Sequence, residues 1–220
     1  HASSTMTHWC PILNQVCCRY PSVVDSLGQV NDAPEPAAVS GVRLRTRQAI
    51  VSAAIAAWAT DFSTSLGDIA DRADVSRSTL HRHFPDRQSL VDAALVEARS
   101  VLERQASEAV DGCESARAAL ESLMRVIIGI DDVIVFLFAD PHRFDGHPEW
   151  AEEEDQMLPE VLSRAQKDGA IADDLETRWL AGVFYSLCFV GAVSIAGGVM
   201  SRRRAADVAV RTFFSGVGAD

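Results

Sequence analysis

The chain has 220 residues, a length that suits one or two small domains, and 48% of them are hydrophobic, enough to bury a real core. That content excludes global disorder. The net charge of −11 argues at first against a nucleic-acid partner, but the charge is unevenly placed. Residues 43–90 carry seven Arg and five Asp, a local balance of +2, with His81 and His83 in addition. The acidity belongs to residues 91–220, which carry 12 basic and 23 acidic side chains. The local balance over residues 43–90 therefore still permits DNA binding.

Five cysteines stand at positions 10, 17, 18, 113 and 188, without a spaced framework. An odd count of this kind points to reduced thiols and a cytoplasmic protein. Cys10, Cys17 and Cys18 lie near His8, but no CxxC pair is present, so no zinc site and no other cofactor is expected. Residues 1–42 are rich in Ser, Pro and Val and end in DAPEPAAVSG, a linker composition. They are expected to form a disordered extension.

Residues 42–60 read VRLRTRQAIVSAAIAAWAT. Ile50, Ala53, Ala54, Ala57 and Trp58 fall on one helical stripe, and the alanines favour helix. Arg43, Arg45 and Arg47 precede or open this helix as a basic arm suited to phosphate or minor-groove contact.

Residues 66–84, LGDIADRADVSRSTLHRHF, form two short helical patterns around a polar turn. Thr64 and Ser65 can each cap the first, in which Leu66, Ile69, Ala70 and Ala73 recur at helical spacing. Asp74 occupies the turn, where a positive φ is common and Gly is the easiest residue. Ser76 can cap the second, whose Leu80 and Phe84 share an inner face at i, i+4. Ser78, Thr79 and Arg82 lie opposite, with Arg77, His81 and His83 on the flanks. Helices this short are marginal alone, so they need the helix of residues 42–60 beneath them. Small hydroxyl side chains let a helix approach a groove closely, and Arg is suited to bidentate contact with guanine. A solvent-facing helix has a similar composition, but caps, turn, spacing and basic flank together favour a helix-turn-helix reader of DNA.

The run RTRQAIVSAAIAAWATDF followed by TSLGDIADRADVSRSTLHRHFPDRQSL resembles the N-terminal DNA-binding domain of TetR-family transcriptional regulators. IADRADVSRSTLHRHFPDRQSL is the most specific part, and the similarity of architecture extends over residues 43–217. The resemblance implies that residues 76–84 are the recognition helix. It places Thr64 or Ser65, Thr79, His83 and Arg87 where the family contacts phosphates, and Arg77 and Ser78 where it reads bases. Three features depart from the family's pattern. The segment before Leu66 is short and lacks the usual Gly, Asp74 stands where Gly is common, and His81 replaces the usual Tyr.

Beyond Pro85 the chain reads as helices. Asp86 can cap a helix to about residue 111, with Val91, Leu95, Ala98, Leu102 and Ala106 buried. A second spans residues 114–130 and buries Ala119, Leu120, Leu123, Val126 and Ile127, and a run over 133–139 continues helically. His142, His147, Asp145, Glu149 and residues 152–155 could imitate a metal cluster, but an acidic first turn of a helix over 148–167 is the commoner cause. That helix should end at Asp168-Gly169. No GxSxG, HExxH or phosphate-cradling loop occurs, so no enzyme is expected.

Residues 179–200 carry no charge, yet their glycines and serines suit close packing between helices better than a membrane span. By the resemblance, helices over 179–200 and 205–214 would pair in a homodimer, with no membrane involved. Met124, Ile128, Phe136, Trp150, Met157, Trp179, Phe184 and Cys188 are candidates for an apolar effector pocket.

The expected fold is all-α: a three-helix DNA-binding domain over residues 43–90 and a helical effector-binding and dimerisation domain over 91–220. The expected function is a ligand-responsive transcriptional regulator, a repressor that binds an inverted-repeat double-stranded DNA operator as a homodimer and releases it to a small, mainly apolar effector. The alternative is a small-molecule-binding or interaction module of the same fold without sequence-specific DNA binding, favoured by the acidity and by Asp74 and His81.

Overall fold

Helix α1 (Ala37–Thr60) is the base on which both halves of the chain are assembled. In the computed structural model, which describes residues 37–140, 142–150 and 156–218, it begins inside the segment expected to be an irregular linker. The earlier residues, with His8, Cys10, Cys17 and Cys18, lie outside the described part, as do residues 152–155. From Ile50 onward α1 buries Ile50, Val51, Ala54, Ile55, Ala57 and Trp58, while Val42 and Leu44 are exposed. Only its second half is therefore core.

α2 (Leu66–Arg72) and α3 (Arg77–His83) follow, each too short to persist without α1. Ile69, Ala70, Leu80 and Phe84 are buried beneath them, the inner face expected from their spacing. The long α4 (Arg87–Val110) starts on a capping box, in which Asp86 and Ser89 satisfy each other's backbone N–H groups. It runs without a break through residues 90 and 91, where the two domains were expected to meet.

α5 (Ala116–Gly129) and α6 (Asp131–Phe138) are separate helices, because Ile130 leaves the helical region with φ −99° and ψ 47°. α6 is almost wholly apolar, and Val133, Ile134, Val135, Phe136 and Leu137 are all buried. It packs on α1, α4 and α8, so it joins the DNA-binding end to the remainder. Its buried Asp131 accepts a hydrogen bond from Arg202 Nε at 2.6 Å. That carboxylate also complements the helix dipole.

The helix expected over residues 148–167 is shorter than its sequence pattern. Residues Pro148–Trp150 form a 3-10 turn, and α7 (Met157–Lys167) starts later. It closes as expected on Gly169, with φ +68° and hydrogen bonds from the Gly169 and Ala170 amides to the carbonyls of Gln166 and Ala165. α8 (Thr177–Ala196) and α9 (Arg202–Val217) finish the chain. Among the described residues there are nine α-helices and no strand. α8 is long and apolar enough to cross a membrane by length and composition, and 39% of its apolar window is buried inside the fold.

Candidate nucleic-acid interface

The turn between α2 and α3 is built by local hydrogen bonding. Ser65 caps α2, its Oγ accepting from the Asp68 amide at 3.2 Å and donating to Asp68 Oδ2 at 2.6 Å. Thr64 is not the cap, because its hydroxyl donates to the Asp61 carbonyl at 2.7 Å. α2 ends with the Asp74 and Val75 amides donating back to the carbonyls of Asp71 and Ala70, and Asp74 takes φ 54°. Asp74 thus occupies the left-handed position where the family commonly has Gly.

Ser76 caps α3 by accepting from the Thr79 amide at 3.1 Å. Its Oγ also lies 3.0 Å from Ser78 Oγ and 2.9 Å from Thr79 Oγ1, and Arg82 Nη2 donates to Thr79 Oγ1 at 3.2 Å. The outward face of α3 is therefore a hydroxyl network with one arginine tied into it. Arg77, Ser78, His81 and Arg82 are all exposed, while Leu80 is 1% exposed and holds the opposite face in the core. Arg77 leans across α2, so a Cβ added to Gly67 would lie 2.8 Å from its Nη2. The group it would meet is the far end of an exposed, flexible side chain, so Arg77 can swing aside at little cost.

The basic arm is helical, and this changes which of its arginines matter. Arg43 and Arg47 sit one turn apart on α1 and flank the C-terminal end of α3. Arg47 lies 5.1 Å over the Phe84 ring. Burial, followed by the charges of Arg43, Arg82 and Arg47, pulls the half-buried His83 imidazole below its usual pKa. Arg45 points elsewhere, its guanidinium near Gly41. The sequence placed Arg43, Arg45 and Arg47 together on one basic arm. On a helix the i, i+4 spacing sets Arg43 and Arg47 on one face and Arg45 on another.

Arg87, expected at a phosphate, is turned inward. It donates from Nη1 to the Thr64 carbonyl at 2.7 Å and from Nη2 to the Phe62 carbonyl, and it stacks 4.7 Å over Trp58 and 5.2 Å over Phe62. The carbonyls of the α1–α2 loop hold it there, that of Thr64 accepting from Trp58 Nε1 as well at 3.2 Å. Asp61 shapes the same loop by accepting from the Ser63 hydroxyl and amide, both at 2.8 Å. Those two bonds, with Arg87 nearby, hold its carboxyl below the ordinary carboxylate range.

Of the apolar candidates, Met124, Ile128, Phe136, Phe184 and Cys188 are each at most 1% exposed, on α5, α6 and α8. Burial pushes the Cys188 thiol far above its usual pKa. Trp150 is 5% exposed and packs on Phe138 and Phe144, and Met157 is half-buried beside a groove of about 620 Å³ along α7. Trp179 does not belong with them. It is 61% exposed, in the first turn of α8. His142 and His147 turn to different carboxylates, His142 Nδ1 lying 2.8 Å from Asp145 and His147 Nε2 3.1 Å from Asp92.

A capped two-helix unit braced on a third helix, with a hydroxyl- and arginine-bearing outer face and a large helical body behind it, defines a helix-turn-helix regulator of transcription. Residues 50–94 match the family described as "Bacterial regulatory proteins, tetR family". The chain is 32% identical over 188 residues to the HTH-type transcriptional repressor LfrR of Mycolicibacterium smegmatis, spanning 83% of this chain and 95% of that relative. The crystal structure of LfrR superposes with a TM-score of 0.62 at 29% identity, covering 80% of this chain and 98% of that one. Its complex with proflavine gives 0.64 at 25% identity, with coverages of 80% and 98%. The chain belongs to the TetR family of transcriptional regulators.

Proposed function

We propose that the protein is a cytoplasmic repressor that binds an inverted-repeat operator as a homodimer, through residues 43–90, and is released by a small, mainly apolar effector held within residues 91–220. The observation that carries the DNA-reading part is the face of α3. Its exposed Ser78 and Arg82 lie opposite a buried Leu80, exposed Arg77 and His81 stand on the flanks, and its C-terminal end is flanked by Arg43 and Arg47. In this reading Arg77 and Ser78 meet base edges. Arg43, Arg47, Thr79 and His83 meet phosphates, with Ser65 and Ser76 presenting helix N-termini to the backbone.

The dimeric part rests on α8, where Trp179, Val190 and Val193 stand 61%, 60% and 43% exposed along one stripe at helical spacing. A second copy covering this stripe would place two recognition helices about 34 Å apart, one turn of duplex. The effector part rests on the buried side chains between α5, α6 and α8, and on a relative whose structure was solved with proflavine. A ligand that binds better to a dimer with wrongly spaced heads shifts the population away from DNA.

Selection from a random duplex pool tests the operator reading. The protein should enrich an inverted repeat, and enrichment of single half-sites alone, or of nothing, would sink it. Arg77→Ala should then lower discrimination at one base pair by about 1–3 kcal/mol, read by competition between the selected duplex and its single-base variants.

A further inference from the structure

The DNA-binding end and the helical body meet over a knot of aromatic rings and two arginines. α1 supplies Trp58, the α1–α2 loop supplies Phe62, and α6 supplies Phe136, whose ring stacks on Trp58 with centroids 6.3 Å apart. Arg143 enters this knot from the loop after α6. Its guanidinium lies 4.3 Å over the Phe62 ring, and its Nη1 donates to the Phe136 carbonyl at 2.6 Å. One contact belongs to the DNA-reading head, and the other to the last turn of α6, where carbonyls lack helical partners.

Arg143 is half-buried, and its Nε is enclosed without a hydrogen-bond partner. Enclosing a cation this way is unfavourable unless its remaining contacts offset the lost water. Burial accordingly draws its pKa below the ordinary guanidinium value, with Asp140 opposing. A surface cleft of about 830 Å³ adjoins it, lined in part by Phe62, Arg87, Asp92, Arg143 and His147.

We propose that Arg143 is a positioning residue for DNA binding, bridging Phe62 of the head to the Phe136 carbonyl of α6 and so fixing the angle at which the head leaves the body. The inference rests on the dimeric reading above, in which two heads must be held in register. A loose head still meets phosphates, but two loose heads do not stay matched to two half-sites.

The test compares the full chain with its Arg143→Met and Phe62→Leu variants. Each is titrated with the duplex that the wild type selects and with a scrambled duplex of equal length. In Arg143→Met the ratio of selected to scrambled affinity should fall about tenfold, the scale of one desolvated cation–π contact with a charge-assisted hydrogen bond, and in Phe62→Leu, which keeps the bond to the Phe136 carbonyl, it should fall about threefold. Affinity for scrambled DNA should change by less than about twofold, since phosphate contacts do not need a fixed head angle. Amide exchange should quicken in residues 61–66 and in the first turn of α4, and not in α8 or α9. An unchanged ratio with unchanged exchange overturns the proposal. So does an equal fall in both affinities that tracks loss of folded protein, which a merely structural Arg143 would give. If the wild type selects no sequence, the operator reading fails separately and the exchange pattern decides alone: quickening confined to the two head-facing segments supports the positioning role, and its absence overturns it.

Discussion

At Asp74 the backbone enters the left-handed region with φ 54° so that α2 can close and α3 can leave at an angle. A Cβ in that region crowds the neighbouring carbonyl, and Asp tolerates it better than most residues without removing the strain. Asp74→Gly relieves it but loosens the unfolded chain, which offsets part of the gain. The net change should be about 0.5 kcal/mol of added stability, visible as a raised thermal midpoint. An unchanged or lower midpoint would show that the Asp74 side chain already compensates. His83 makes a second residue-scale case. In the free protein its pKa is depressed, through burial and then Arg43, Arg82 and Arg47. A DNA phosphate beside it favours the protonated form, so complex formation takes up a proton. Operator affinity should therefore strengthen as pH falls from about 8 to about 6, and the sign reverses for stability, because folding disfavours the same proton. Titrations across that range with His83→Gln should show a flatter slope, with His81→Gln as the control for the other imidazole on α3. A slope that His83→Gln leaves intact removes His83 from the phosphate contacts.

α8 shows what small residues accomplish within an element. A Cβ added to Gly191 would lie 3.0 to 3.3 Å from three carbons of the Ile128 side chain, so the backbones of α8 and α5 approach closely at that point. Both positions are buried, and Ile128 has no exposed side toward which to yield. Gly191→Ala gains helix propensity of up to about 1 kcal/mol, but overpacking of this kind costs about 1–3 kcal/mol, so the variant should be less stable. Chemical denaturation reads the difference, and a stabilised variant would show that Ile128 repacks freely. The elements themselves were legible wherever a cap and an apolar stripe coincided, as at Ser76 with Leu80 and Phe84, or Asp86 with Val91 and Leu95. The start of α1 was not, because Pro and Gly in residues 33–42 imitate a linker while the helix propagates back from a well-packed second half to Ala37. The start of α7 was misplaced for a related reason. Pro148 and the acids after it match a first-turn pattern, yet the chain makes only a 3-10 turn at Pro148–Trp150. Within the site, the outward face of α3 could be read from one helix's own period. The inward turn of Arg87 and the reach of Arg143 to Phe62 could not, since each joins residues far apart in sequence through backbone carbonyls and ring faces that no local spacing encodes.

At the scale of the whole molecule, the charge asymmetry and the apolar stripe have complementary roles. The acidic body would be repelled by DNA, so only the end bearing Arg43, Arg47, Arg77 and Arg82 is suited to the duplex. One such end makes few base contacts, and a twofold partner doubles them without any new sequence. Trp179, Val190 and Val193 are the exposed surface through which α8 could recruit that partner. Val190 is 60% exposed in the single chain, so Val190→Asp should alter protomer stability by no more than about 0.5 kcal/mol. In a dimer sealed over this stripe the same change would bury one unpartnered carboxylate per protomer, a penalty of several kcal/mol. Light scattering should then report a monomer that keeps its helical circular dichroism and binds the inverted repeat no better than an isolated half-site. Val96→Asp, on an exposed position of α4 that is 48% accessible, should leave both mass and binding unchanged. A Val190→Asp protein that stays dimeric and keeps operator affinity would move the interface away from this stripe, and with it the geometry that spaces the two heads.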